Sequence, residues 1–129
     1  MRDWRWVGIE TAKSIHLEQL TEWGGGAGVR DHGLLESAMA RPHNLVAYGE
    51  PDAAALAAAY AFGLSRNHPF IDGNKRTAWV TARLFLAKNG VEIRYSDADA
   101  TVRMMALAAG ESGEEEFATW LRAKIISTR

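Results

Sequence analysis

The segment DAAALAAAYAFGLSR, residues 52–66, constrains the fold more than any other stretch. Its apolar residues cover nearly every side of a helix, and a helix apolar all round belongs inside a core. Its longest uncharged run, Ala53 to Ser65, is too short to cross a bilayer, which takes about 20 apolar residues. Other elements of the chain must therefore wrap it. The chain has 129 residues, enough for one domain, so residues 1–129 are read as a single unit around this helix. Hydrophobic residues make up 47% of the chain, which supplies the shell.

Apolar spacing divides the rest of the chain mainly into helices. Residues 5–9 read as a short strand. Thr11 caps a helix to about Trp23, with Ala12, Ile15, Leu17, Leu20 and Trp23 at helical spacing. GGGAG, residues 24–28, breaks it. Asp31 caps a short helix carrying Leu34, Leu35, Ala38 and Met39, and Pro42 follows its end. Residues 43–50 are expected to be extended or loop. TAWVTARLFLAK is a second core helix, stopped at Asn89-Gly90. VEIRYS suggests a short strand, and Asp97 caps a helix to about Ala109. Ser112 and Glu115 have capping-box spacing for a last helix reaching Ile126, with Phe117, Trp120, Leu121 and Ile125 inward. The expected fold class is all-α.

Charge and composition exclude several functions. Fifteen basic residues stand against sixteen acidic ones, so no global field draws the chain to nucleic acid or to an anionic membrane. There is no cysteine, hence neither a disulfide framework nor a thiolate zinc site. MRDWRWVGIE has no apolar run of the signal-peptide kind. These features together lead us to expect a cytoplasmic protein.

The chemistry concentrates in HPFIDGNKRTA, residues 68–78, between the two core helices. Residues 73–77 form the first turn of the second helix, whose leading amides have no internal acceptors and carry partial positive charge. Gly73 lets a ligand approach the backbone closely. Lys75 and Arg76 add two full charges, so phosphate is the expected guest. Asp72 beside an anion site makes sense with Mg²⁺ between carboxylate and phosphate. His68 can take a proton from a hydroxyl near neutral pH, worth about 10²- to 10⁴-fold in rate. Phe70 points into the core as the loop's anchor, and Asn74 can bond backbone groups of the turn. Each residue also has a plainer reading. Asp72 can be a helix cap, Lys75 and Arg76 a solvated face, and His68 an ordinary loop histidine. His16, His32 and His43 lack partners at metal-ligand spacing and read as incidental. Trp4, Trp6 and Trp23 read as packing.

HPFIDGNKRTA resembles the signature of the Fic/Doc superfamily, and specifically its death-on-curing branch of toxins from toxin–antitoxin modules. The general pattern is H-x-F-x-[D/E]-G-N-G-R-x-x-R, matched at His68, Phe70, Asp72, Gly73, Asn74 and Arg76. Lys75 stands in place of a glycine, as in the Doc form N-K-R-T-A, and Trp79 stands in place of the second arginine. GGGAGVRDHGLLESAMARP and FLAKNGVEI are also similar to the Doc branch, so the likeness covers roughly residues 10 to 110.

The resemblance implies a compact Fic/Doc-type helical bundle with a small β-flap at residues 43–50 that lays a target segment across the site. Fic proteins usually transfer AMP from ATP. Doc lacks the second arginine, binds the nucleotide the other way round and acts as a protein kinase. Its implied target is a threonine of elongation factor Tu, which would halt translation. Carried over, His68 is the base, Asp72 holds Mg²⁺, and Gly73, Asn74, Lys75 and Arg76 hold the phosphates of ATP. Arg66 would add a further phosphate contact. Many Fic proteins restrain themselves with an [S/T]-x-x-x-E-[G/N] helix. Ser112 to Glu116 has that spacing, but Phe117 breaks the pattern. Restraint is therefore expected from a Phd-type antitoxin whose C-terminal segment folds into a groove. The alternatives are an AMP transferase and a non-catalytic module that binds an antitoxin or a translation factor.

Overall fold

The computed structural model describes residues 3–129. Six helices and two short strands follow in the order α1 (Ile9–Trp23), α2 (His32–Tyr48), α3 (Ala53–Asn67), α4 (Asn74–Lys88), β1 (Val91–Ile93), α5 (Asp97–Ala109), α6 (Glu114–Lys124) and β2 (Ile125–Thr128). The all-α expectation holds. No helix among the described residues is long and apolar enough to cross a membrane.

Helix α3 is the centre. It packs against α2, α4, α5 and α6, and Leu56, Ala57, Ala58, Tyr60, Ala61 and Leu64 are fully buried. Its small residues let neighbours approach closely. A Cβ placed at Gly63 would lie 3.0 Å from the Ala38 Cα of α2. Asp52 starts the helix by accepting the Ala55 N–H at 2.9 Å.

The expected strand at residues 5–9 is absent. Side chains, rather than a neighbouring strand, satisfy that backbone. Val7 N–H donates to the Tyr60 hydroxyl (3.0 Å), and the hydroxyl donates to Val7 C=O (3.2 Å). Arg5 exchanges two 2.9 Å bonds with the Asn89 amide. Helix α1 consequently begins earlier than expected, with Gly8 rather than Thr11 at its cap. Its buried face is Ala12, Ile15 and His16, while Leu17 and Trp23 are exposed.

The flap expected at residues 43–50 is not there either. Helix α2 continues through Pro42 to Tyr48. An interior proline costs about 3 kcal/mol. Burial of Pro42, packing of Leu45 and Val46 against the core, and the stack of His43 on Trp6 (3.9 Å) oppose that cost.

Three boundaries also move. Ser96, not Asp97, caps α5 by accepting the Asp99 N–H at 3.1 Å. Helix α6 is capped at Gly113, whose N–H reaches the Glu116 carboxylate, one residue later than the expected box. The helix stops at Lys124, and Ile125–Thr128, three of whose four residues are β-branched, forms β2 instead. It pairs antiparallel with β1 in the register Val91↔Thr128, Glu92↔Ser127 and Ile93↔Ile125.

Candidate active site

Helix α3 delivers the chain to His68, which takes a left-handed conformation (φ 48°, ψ 54°). It is the only non-glycine with positive φ among the described residues. Such a conformation costs free energy and needs surrounding structure to hold it. Arg30 provides that support. Its guanidinium donates to the carbonyls of His68 (2.7 Å) and Asn67 (3.0 Å), the orphan acceptors of the helix end. The Pro69 carbonyl accepts from the Arg30 and Asp31 amides. The backbone of His68 is thus fixed, while its ring is exposed and forms no hydrogen bond with the described residues.

Phe70 is buried (1% exposed) and stacks on His16 at 4.0 Å. Read from sequence as incidental, His16 is instead seated beneath the motif. It is buried, and its Nε2 lies 2.9 Å from the Asp72 carbonyl. A carbonyl only accepts, so Nε2 carries the proton. Asn74 closes the turn, accepting the Phe70 N–H and donating to the Phe70 C=O, both at 3.0 Å. This is the backbone role expected of it.

The glycine run is more than a helix breaker. Residues 24–31 lie along the motif through a Val29–Phe70 bridge and an Ile71 N–H to Gly28 C=O bond of 3.0 Å. Gly26 N–H approaches the Asp72 carboxylate at 3.3 Å. At Gly25 (φ 121°) a Cβ would stand 3.0 Å from the same oxygen. The segment beside the motif is thus this one, not residues 43–50.

Helix α4 begins after Gly73, itself left-handed at φ 75°, and no side chain caps it. Asn74 is occupied with Phe70 and does not cap the first amides of α4, an arrangement in which a helix start can take an anion. Lys75 and Arg76 are exposed and form no ion pair with a described residue. The Arg76 guanidinium lies 5.9 Å from the Trp23 ring centroid. Asp72 is exposed at the same corner, its second oxygen 3.1 Å from the Gly73 nitrogen. A single exposed carboxylate beside a phosphate site fits Mg²⁺, which takes one carboxylate together with phosphate oxygens and water. No group of three metal-ligating side chains occurs among the described residues, so phosphate would have to complete the coordination.

Arg66 is placed apart from this cluster. Its Nε donates to the Leu107 carbonyl near the end of α5 (2.7 Å), and its guanidinium lies 4.8 Å from the Phe62 ring centroid. Trp79 forms part of a cleft of about 580 Å³ between α1, α4 and α5, which Lys75 and Arg76 also line. It meets Tyr95 edge-on at 5.1 Å. The position of the second arginine in the Fic pattern is therefore an aromatic wall.

The Fic/DOC family profile matches residues 6–86, from the N-terminal segment through most of α4. The chain belongs to the Fic/DOC family. Toxin Doc of Mycolicibacterium smegmatis is 50% identical over 74 residues, covering 55% of this chain and 56% of that protein. Protein kinase doc of Escherichia phage P1 is 36% identical over 121 residues, covering 92% of this chain and 94% of the phage protein. The match thus spans about half the length of the first relative and nearly all of the second. Both relatives carry the Doc name, in line with the likeness seen in the motif.

Within this Fic/DOC domain, sequence reasoning missed Arg30 and underrated His16. Arg30 acts across 38 residues and His16 across 56, and no local pattern links them to the motif.

Proposed function

We propose that this Fic/DOC protein is a Doc-like toxin that transfers the γ-phosphoryl group of ATP to a protein hydroxyl. One observation carries the reading. The uncapped start of α4, with unpaired Lys75 and Arg76, adjoins an exposed histidine held in a strained backbone. Phosphoryl transfer asks for positioning and charge stabilisation, which these parts supply.

In the proposed reaction His68 takes the proton of the target hydroxyl. The hydroxyl oxygen bonds to the γ-phosphorus, the bond from that phosphorus to the β–γ bridging oxygen breaks, and ADP leaves. The α4 amides from Gly73 onward, with Asn74 fixing the turn, face the γ-phosphate. Lys75 and Arg76 balance its charge. Asp72 would hold Mg²⁺, which neutralises phosphate charge when bound. Lys75 and Trp79 support γ- over α-transfer, because both depart from the AMP-transferring Fic pattern and Lys75 matches the Doc form. The names of the two relatives support the toxin and kinase parts. The proposed target is a threonine of elongation factor Tu. The proposed restraint is a Phd-type antitoxin, since the chain lacks a full inhibitory motif of its own.

The test uses ATP labelled at either the α- or the γ-phosphate, with Mg²⁺, a bacterial translation extract and a His68→Ala control. Label from the γ-phosphate on a protein of elongation-factor size, lost in the control, is expected. Label from the α-phosphate would make this an AMP transferase. Label from neither, with growth arrest surviving His68→Ala, would leave a binding module.

A further inference from the structure

Arg83 lies on α4 two turns beyond Arg76 and lines the same cleft as Lys75 and Arg76. Helical side chains lean toward the N-terminus of their helix. Arg83 does so, and its guanidinium sits 5.5 Å from the ring centroid of Trp79, one turn back. Its Nε is buried and has no hydrogen-bond partner. No carboxylate among the described residues pairs with it, although Arg41, Arg103 and Arg122 each find one. Glu22 and Asp97 also line the cleft, but neither lies within ion-pair distance of the three cations. Lys75, Arg76 and Arg83 therefore form an unneutralised wall along one helix. A buried guanidinium nitrogen without a partner costs free energy and calls for an acceptor, which an anion bound in the cleft would bring to this side chain.

From this we infer that Arg83 is a binding residue for the polyphosphate chain of the nucleotide, contacting the phosphates farthest from the start of α4. The Arg76 and Arg83 backbones are about 10 Å apart at about 1.5 Å per residue. A polyphosphate extending along the cleft would follow that separation from Arg76 to Arg83. The Trp79 ring lies beside the guanidinium at 5.5 Å, and the terminal nitrogens can act as a fork toward an anion. The inference rests on the nucleotide reading above, and the test separates the two.

The experiment is calorimetric titration of the whole protein, with and without Mg²⁺, using ATP, inorganic triphosphate, inorganic phosphate and an acidic peptide. The variants are Arg83→Met and Arg83→Lys, each checked for folding by circular dichroism and thermal unfolding. A lost charge-assisted contact predicts about a tenfold or greater loss of ATP and triphosphate affinity in Arg83→Met. Arg83→Lys should recover part of that loss, and phosphate binding should not change. Unchanged ATP affinity in a folded Arg83→Met overturns this inference and leaves the nucleotide reading intact. A wild-type protein that binds neither ATP nor triphosphate overturns both. Arg83→Met that weakens only the acidic peptide overturns the inference and assigns Arg83 to a protein partner.

Discussion

Asn74→Ala tests whether one amide, which grips both polar groups of Phe70, holds the loop. The wild-type amide makes two bonds of 3.0 Å to a residue that is 1% exposed. Removal leaves a buried N–H and a buried C=O without these partners. At about 1–3 kcal/mol for each unsatisfied group, with partial relief from water entering the loop, the loss should be about 2–4 kcal/mol. That energy holds the path from His68 to Gly73, so the loop should open before the domain does. Urea unfolding reads the global part, and hydrogen exchange at the Phe70 and Ile71 amides reads the local part. Asn74→Asp is the companion variant. It keeps the acceptor for Phe70 N–H but sets a carboxylate oxygen against the Phe70 carbonyl. It should protect those amides no better than alanine does. An Asn74→Ala protein within about 0.5 kcal/mol of wild type, with unchanged exchange, would refute the reasoning.

Gly63→Ala brings a methyl to 3.0 Å from the Ala38 Cα and 3.1 Å from its carbonyl oxygen, so α2 and α3 must part. A net loss of about 1–3 kcal/mol in thermal unfolding is expected despite the better helix propensity of alanine, and a gain would disprove the close packing. Burial pushes the Tyr60 hydroxyl up to about 12, against an ordinary value of 10.0. The folded state therefore keeps this proton while the unfolded state loses it. Stability should fall by roughly 2–3 kcal/mol as pH rises from 10 to 12. Tyr60→Phe should be less stable at neutral pH and lack this slope, and superimposable pH curves would contradict the assignment. The hydrogen bond from Arg122 lowers the Asp52 carboxyl below 3.8. Its contribution is present above the ordinary carboxylate value and fades as pH drops below it. Both side chains are about half exposed, so a double-mutant cycle should give only about 0.2–1 kcal/mol near neutrality, and a coupling above 2 kcal/mol would be inconsistent.

Much of the site was legible because its residues are contiguous. HPFIDGNKRTA carries the histidine, the carboxylate, the glycine turn and the cations within one loop, and apolar spacing placed that loop between two core helices. The roles of Phe70 as anchor and Asn74 as backbone clamp were also readable, since both act within four residues. Arg30 and His16 were not, because each reaches the motif from a distant segment. Arg66 carried a charge near the histidine in sequence, yet its helix turns the guanidinium to α5.

Sequence alone determined the helical class, the central place of α3 and the position of the motif between two helices, because composition and 3.6-residue spacing are local properties of the chain. The tertiary structure alone decided which backbone groups found partners far away. Tyr60 and Asn89 removed the need for an N-terminal strand, core contacts carried α2 through Pro42, and β1 drew the last residues out of α6. It also decided that the glycine run, not residues 43–50, lies beside the motif. Burial and hydrogen bonding between distant segments outweigh local propensities of a few tenths to about 3 kcal/mol, and those partners have no local signature in the sequence.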